Sequence, residues 1–140
     1  MKVTAKQIKE IAQNLEAGMK VYLNKETFEF KSVLDWDDLT DGAPWDEIIN
    51  KIEKEWTDVV IFEKFDTREA FQIMEDFVDE IDVQRLKEDI INVLNRKSPF
   101  ANFKYEIESS IYRQKWFDFR AIKYEEYVKR QLDNENIEYE

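Results

Sequence analysis

Apolar positions recur at helical spacing in several stretches of the chain, with a short alternating segment near the start. Ile8, Ile11, Ala12 and Leu15 fall on one helical face, behind a Thr4–Gln7 pair with capping-box spacing. Gly18 is placed to end that helix in a left-handed conformation. MKVYLNKETFEFKSV then reads as two β-prone runs around Asn24-Lys25-Glu26-Thr27, which predicts a hairpin. Asp35 to Pro44 reads as loop. Trp45, Ile48, Ile49, Ile52 and Trp56 return to helical spacing, and Val59 to Phe62 predicts a short buried strand.

The second half is helical throughout. Asp66 and Glu69 open a helix with Ala70, Phe71, Met74, Phe77, Val78 and Ile81 on one face. Asp82 is placed to cap the next helix, whose Val83, Leu86, Ile90, Val93 and Leu94 point inward. Ser98-Pro99 has the N-cap and first-turn proline pattern, followed by Phe100, Phe103, Ile107 and Ile111 in line. Ser109-Ser110 interrupts that helix, and a last one runs from about Ile111 to Leu132. The pattern predicts an α+β fold: a small, mostly antiparallel sheet, made of the N-terminal hairpin and a strand near 58–63, covered by about five or six helices. A single domain is expected over 1–140, with an acidic tail, 133–140, that frays.

Charge changes this picture. The formal net charge is −11, unevenly spread: 12 basic against 23 acidic residues in 1–95, 9 against 5 in 96–130, and none against 4 in the last ten. The basic stretch contains YRQKWFDFR, Tyr112 to Arg120, where cations alternate with aromatics. On a wheel of about 100° per residue, Phe117, Ala121, Tyr124, Val128 and Leu132 form the apolar stripe of the last helix. Arg113 and Arg120 fall within about 60° of Phe117, and Lys104 about 40° from Phe100, so all three are expected to face inward, whereas Lys115 points out. An inward guanidinium needs an acid, an aromatic face or a bound anion. The candidate anion- or partner-binding set is therefore Arg96, Lys104, Arg113, Trp116 and Arg120.

Composition removes much chemistry. There is no Cys and no His, so thiol nucleophiles, disulfides and Ser-His-Asp catalysis are excluded within the chain. Two glycines cannot supply a phosphate-cradling loop. Asp35, Asp37, Asp41 and Asp46 match positions one, three, seven and twelve of a calcium loop, with Asp38 between them. The fifth position is Leu39 and the sixth, where the turn requires Gly, is Thr40, so these acids are weak metal candidates. Glu75, Asp76, Asp79 and Glu80 line the outer side of their helix, where solvated carboxylates do little acid–base work. No cofactor site is expected. No apolar run reaches the ~20 residues that span a bilayer, and no signal peptide is evident, so a soluble cytoplasmic protein without membrane partners is expected.

Several of these strings resemble the bacterial uncharacterised protein family 0158. They are TREAFQIMEDFVDEID (Thr67–Asp82), Leu86 to Leu94, RKSPFANFK (Arg96–Lys104), Trp116 to Phe119, and the hairpin VYLNKETFEF. The likeness covers about Val21 to Leu132, and AFQIMEDF is its most specific part. It implies a small soluble bacterial protein and supplies no catalytic residues. Many relatives carry two adjacent arginines where this chain has Ala101 and Asn102, which counts against nucleic acid or phosphate as the ligand here. The resulting reading is a non-catalytic interaction or regulatory domain with a protein partner. The alternatives are anion, phosphate or nucleic-acid binding through 96–130, and a carboxylate- or metal-dependent hydrolase.

Overall fold

A computed structural model describes residues 2–34 and 46–140, with only the backbone of Asp46. Six helices and three strands occur among them: α1 Ala5–Glu16, β1 Met19–Asn24, β2 Phe30–Leu34, α2 Asp46–Glu55, β3 Val59–Phe62, α3 Thr67–Val78, α4 Gln84–Leu94, α5 Pro99–Glu108 and α6 Arg113–Asn134. The fold is α+β, with a helical C-terminal half. The chain forms two compact units, one of residues up to Lys64 with Tyr124–Glu140, the other Phe65–Lys123. Helix α6 contributes to both.

In the first unit the Thr4 hydroxyl accepts from Gln7 N–H while the Gln7 side chain accepts from Thr4 N–H, so the capping box forms in full. Gly18 ends α1 at φ +85, as the sequence predicts. The sheet is antiparallel, in the order β2-β1-β3, with Leu23 opposite Phe30 on one side and Val60 on the other. The hairpin loop is longer than expected, because β2 resumes only at Phe30. Asn24, a buried polar residue, explains this: its Oδ1 accepts from the N–H groups of Glu26 and Thr27, and Phe28 turns the chain back at φ +63. Tyr22 and Val33 share one sheet face and pack with Ile48, Ile49 and Ile52 of α2 and with Trp56 just beyond it. The other face carries Val21, Leu23, Val60 and Phe62, all buried, and α1 packs along β1.

The tail departs from expectation. Asn136 takes φ +56, Ile137 N–H donates to Leu132 C=O at 2.9 Å, and Asn136 N–H donates to Asp133 C=O at 3.1 Å. That is a Schellman ending. It turns Ile137 into the interior and sends the last residues alongside Val3, whose N–H donates to Glu138 and whose C=O accepts from Glu140. The acidic composition of 133–140 conceals one apolar residue in the right place.

The second unit is an all-helical cluster. Asp66 caps α3 by accepting from Glu69 N–H. Phe77 meets Trp116 and Phe119 edge-on, at 5.2 Å between ring centres in each case, and Phe103 meets Trp116 at 4.9 Å. Asp82 does not cap α4. Val83 holds the cap position without a side-chain bond, and the Tyr112 hydroxyl accepts instead, from Asp82 N–H at 2.8 Å and Val83 N–H at 3.3 Å. Ser98 stands at the α5 cap position at φ +53, with no side-chain bond, while Pro99 opens the helix as the sequence predicts. Ser110 does interrupt the chain: its hydroxyl donates to Ile107 C=O and accepts from Tyr112 N–H, and α6 starts only at Arg113.

Candidate functional site

The five candidate residues all belong to the second unit, on the turn after α4, on α5 and on α6. Arg96 is exposed in the turn after α4, and Lys104 is exposed on α5. A wheel centred on Phe100 turns Lys104 inward, but the apolar face is not centred there. The buried positions of α5 are Phe103 and Ile107, and Lys104 lies about 100° from Phe103. Ile111, 85% exposed, has left that face because the helix breaks before it.

Arg113 is also exposed, contrary to expectation. It occupies the first turn of α6, where the helix dipole disfavours a buried cation. Its guanidinium carbon nevertheless lies 5.4 Å from the centre of the Phe117 ring. Arg120 is half-buried and lies 5.6 Å from the same ring and 5.8 Å from Trp116. Trp116 is only 6% exposed, so it anchors the core. Lys115, which points outward as expected, lies 5.9 Å from Tyr112, and its Nζ is 3.8 Å from Glu80. Lys123 lies 5.3 Å from Phe119. Cations and rings three or four residues apart therefore pair along the helix itself, and Arg120 is the candidate cation that faces as predicted. The structure brings together Arg113, Arg120 and Trp116 around Phe117, whereas Arg96 and Lys104 are exposed on other elements.

Arg96, Lys104 and Arg113 form no ion pair among the described residues. Asp35, Asp37 and Asp41 lie outside the described residues, as does the side chain of Asp46, so the acidic loop adds no geometry. Trp45 lies outside them too. Glu75, Asp76, Asp79 and Glu80 are exposed.

A different surface feature stands out. Phe71, Glu75 and Val78 of α3 and Ile91, Leu94 and Asn95 of α4 line a groove of about 180 Å³. Phe100 meets Phe71 edge-on at 6.3 Å. Sequence reasoning placed Phe71, Val78 and Leu94 on inward faces but overlooked Ile91. Its signal was an apolar residue next to Ile90, too wide of the stripe to be buried with it.

A model of the Uncharacterised protein family (UPF0158) matches residues 3–140. The chain belongs to that family. No curated protein and no solved structure matches it. The match extends beyond the strings that first suggested UPF0158, taking in α1 and the C-terminal tail. In this UPF0158 member the AFQIMEDF string builds most of the α3 wall: Phe71 faces the groove, while Ile73, Met74 and Phe77 are buried.

Proposed function

We propose that this chain is a non-catalytic interaction module whose second unit carries the surface for a protein partner. The observation behind it is where apolar side chains meet water. Among the described residues, Val83, Ile91, Phe100, Tyr105, Ile111 and Ile122 are exposed in the second unit, against Ile61 in the first. Tyr105 is 71% exposed and Ile111 85%. Apolar surface of this kind, where it is contiguous, marks an interaction site. The missing His and Cys point the same way, by removing the commonest catalytic side chains. The test is co-purification with the tagged full-length chain, quantified by mass spectrometry against a Tyr105→Asp, Ile111→Asp, Ile91→Asp triple variant. Specific partners enriched by the parent and lost from the variant are expected. An identical set from both would overturn the reading.

A second reading, binding of phosphate groups through 96–130, is favoured by the exposed Arg96, Lys104 and Arg113 without ion pairs among the described residues. The buried Trp116 opposes base stacking by that residue. Anisotropy of a labelled single-stranded oligonucleotide at low salt tests it. Binding weakened by Arg113→Gln and by added salt would support it, and no change in anisotropy would end it.

A further inference from the structure

We infer that β3 is an interface for a second copy of this chain. Two β3 strands pair antiparallel across a two-fold axis at Ile61 and join two sheets edge to edge. The interface belongs to the first unit and is separate from the second-unit surface proposed above.

The order β2-β1-β3 leaves β3 at a sheet edge. Lys25 N–H donates to Asp58 C=O at 3.0 Å, which marks that opposing pair as hydrogen-bonded. Bonded and non-bonded pairs alternate along an antiparallel ladder. Leu23–Val60 and Val21–Phe62 are therefore the bonded pairs, so Val60 and Phe62 turn their backbone groups to β1. Val59, Ile61 and Glu63 turn theirs outward, where they meet no partner among the described residues. Such an edge templates another strand. Val59-Val60-Ile61-Phe62 holds no charge and no proline, pairs without a bulge, and leaves Ile61 48% exposed at its outward position. Its protection is limited to its length of 4 residues.

Phase and charge select the occupant. Outward groups bond only to outward groups, so an axis at Ile61 sets Ile61 opposite its copy and Val59 opposite Glu63 of the second copy. The same register sets Asp58 of each chain opposite Lys64 of the other, both exposed. Cross-strand pairs of opposite charge stabilise a sheet, and like charges destabilise it. Axes at Val60 or Phe62, the neighbouring registers, instead set Asp58 against Phe62 or Lys64 against Val60. Glu63 is already neutralised within its own chain, 3.3 Å from Lys20. Self-pairing thus satisfies the backbone phase and the flanking charges with residues that the chain itself supplies. The net charge of −11 opposes a second copy, but physiological salt screens that repulsion beyond about 8 Å. So short a pairing gives a weak, concentration-dependent dimer.

The experiment is sedimentation equilibrium of the full chain from micromolar to millimolar concentration at physiological salt, after circular dichroism shows that each variant folds. A monomer–dimer equilibrium is expected. Ile61→Lys sets like charges across the axis and should raise the dissociation constant about tenfold or more. Lys64→Glu and Asp58→Lys should each weaken self-association. An equimolar mixture of those two variants should recover it, because the mixed pair has opposite charges at both sites. In hydrogen exchange, the amides of Val59, Ile61 and Glu63 should gain protection as concentration rises, while those of Val60 and Phe62, already bonded to β1, stay unchanged. A monomer throughout, or a dimer that Ile61→Lys leaves intact, overturns the interface. A mixture that recovers nothing, or protection that ignores the alternation, overturns the register. A dimer that only the Tyr105→Asp, Ile111→Asp, Ile91→Asp variant dissolves overturns the choice of β3.

Discussion

Gly18 has open space where a Cβ would stand, so a substitution there meets no neighbour. Its φ of +85 still penalises any side chain. Gly18→Ala should therefore cost about 1–2 kcal/mol, seen as a lower urea midpoint at unchanged slope. Gly18→Asn should cost less, because Asn tolerates the left-handed region. Lys25 and Tyr139 make a second residue-scale case. A hydrogen bond to Glu135 at 3.2 Å raises the Lys25 ammonium above its ordinary 10.5, with smaller help from Asp58, against the opposing effect of burial. Burial first, and a bond to Asp133 second, raise the Tyr139 phenol above 10.0. Both groups hold protons more tightly when folded. Their contribution is complete below those ordinary values and is lost as pH climbs through the raised ones. Thermal scans should show the melting temperature falling from about pH 10 upward. Lys25→Met combined with Tyr139→Phe should flatten that alkaline limb. Gly18 was legible from sequence because its geometry is local. Lys25 was not, since its partners lie at the foot of β3 and the end of α6.

At the scale of elements, α6 answers the question its composition raises. Arg113, Lys115, Arg120 and Lys123 each lie over an aromatic ring of their own helix or of Tyr112 just before it. Interleaved cations and rings are what such intrahelical pairing looks like in sequence. Arg113→Ala should cost only about 0.5–1 kcal/mol, as for an exposed cation–ring pair, and Arg113→Lys should recover part of it. Tyr112→Phe is the harsher change. It leaves two part-buried N–H groups at the start of α4 without their acceptor, for about 1–3 kcal/mol in denaturant unfolding. The helices themselves were legible from periodicity, and α1, β3 and α3 came close to their expected bounds. The wheel failed where the centre of the stripe was misjudged, as for Lys104, and where a helix stopped early, as for Ile111. Tyr112 carried no local signal at all, because the helix start it caps lies thirty residues away.

Across the whole molecule, the Schellman turn at Asn136 is the feature with the widest reach. It buries Ile137 and aligns the final residues with Val3, itself fully buried. Ile137→Ala should cost about 2–4 kcal/mol, far more than an unstructured tail would register. Asn136→Ala should cost about 1–2 kcal/mol through the left-handed backbone alone. Equilibrium unfolding measures both. The acidic composition of 133–140 predicts fraying because it averages over the apolar Ile137.

Val3 and Tyr139 pair across almost the entire length of the polypeptide. Ring closure over so great a contour is entropically slow, whereas each helix and the hairpin can nucleate from neighbours. In pulse-labelled refolding, the Val3 and Glu140 amides should therefore gain protection after those of β1 and α3. Folding that begins with local helices and a hairpin would finish by fastening the bridge between Val3 and Tyr139.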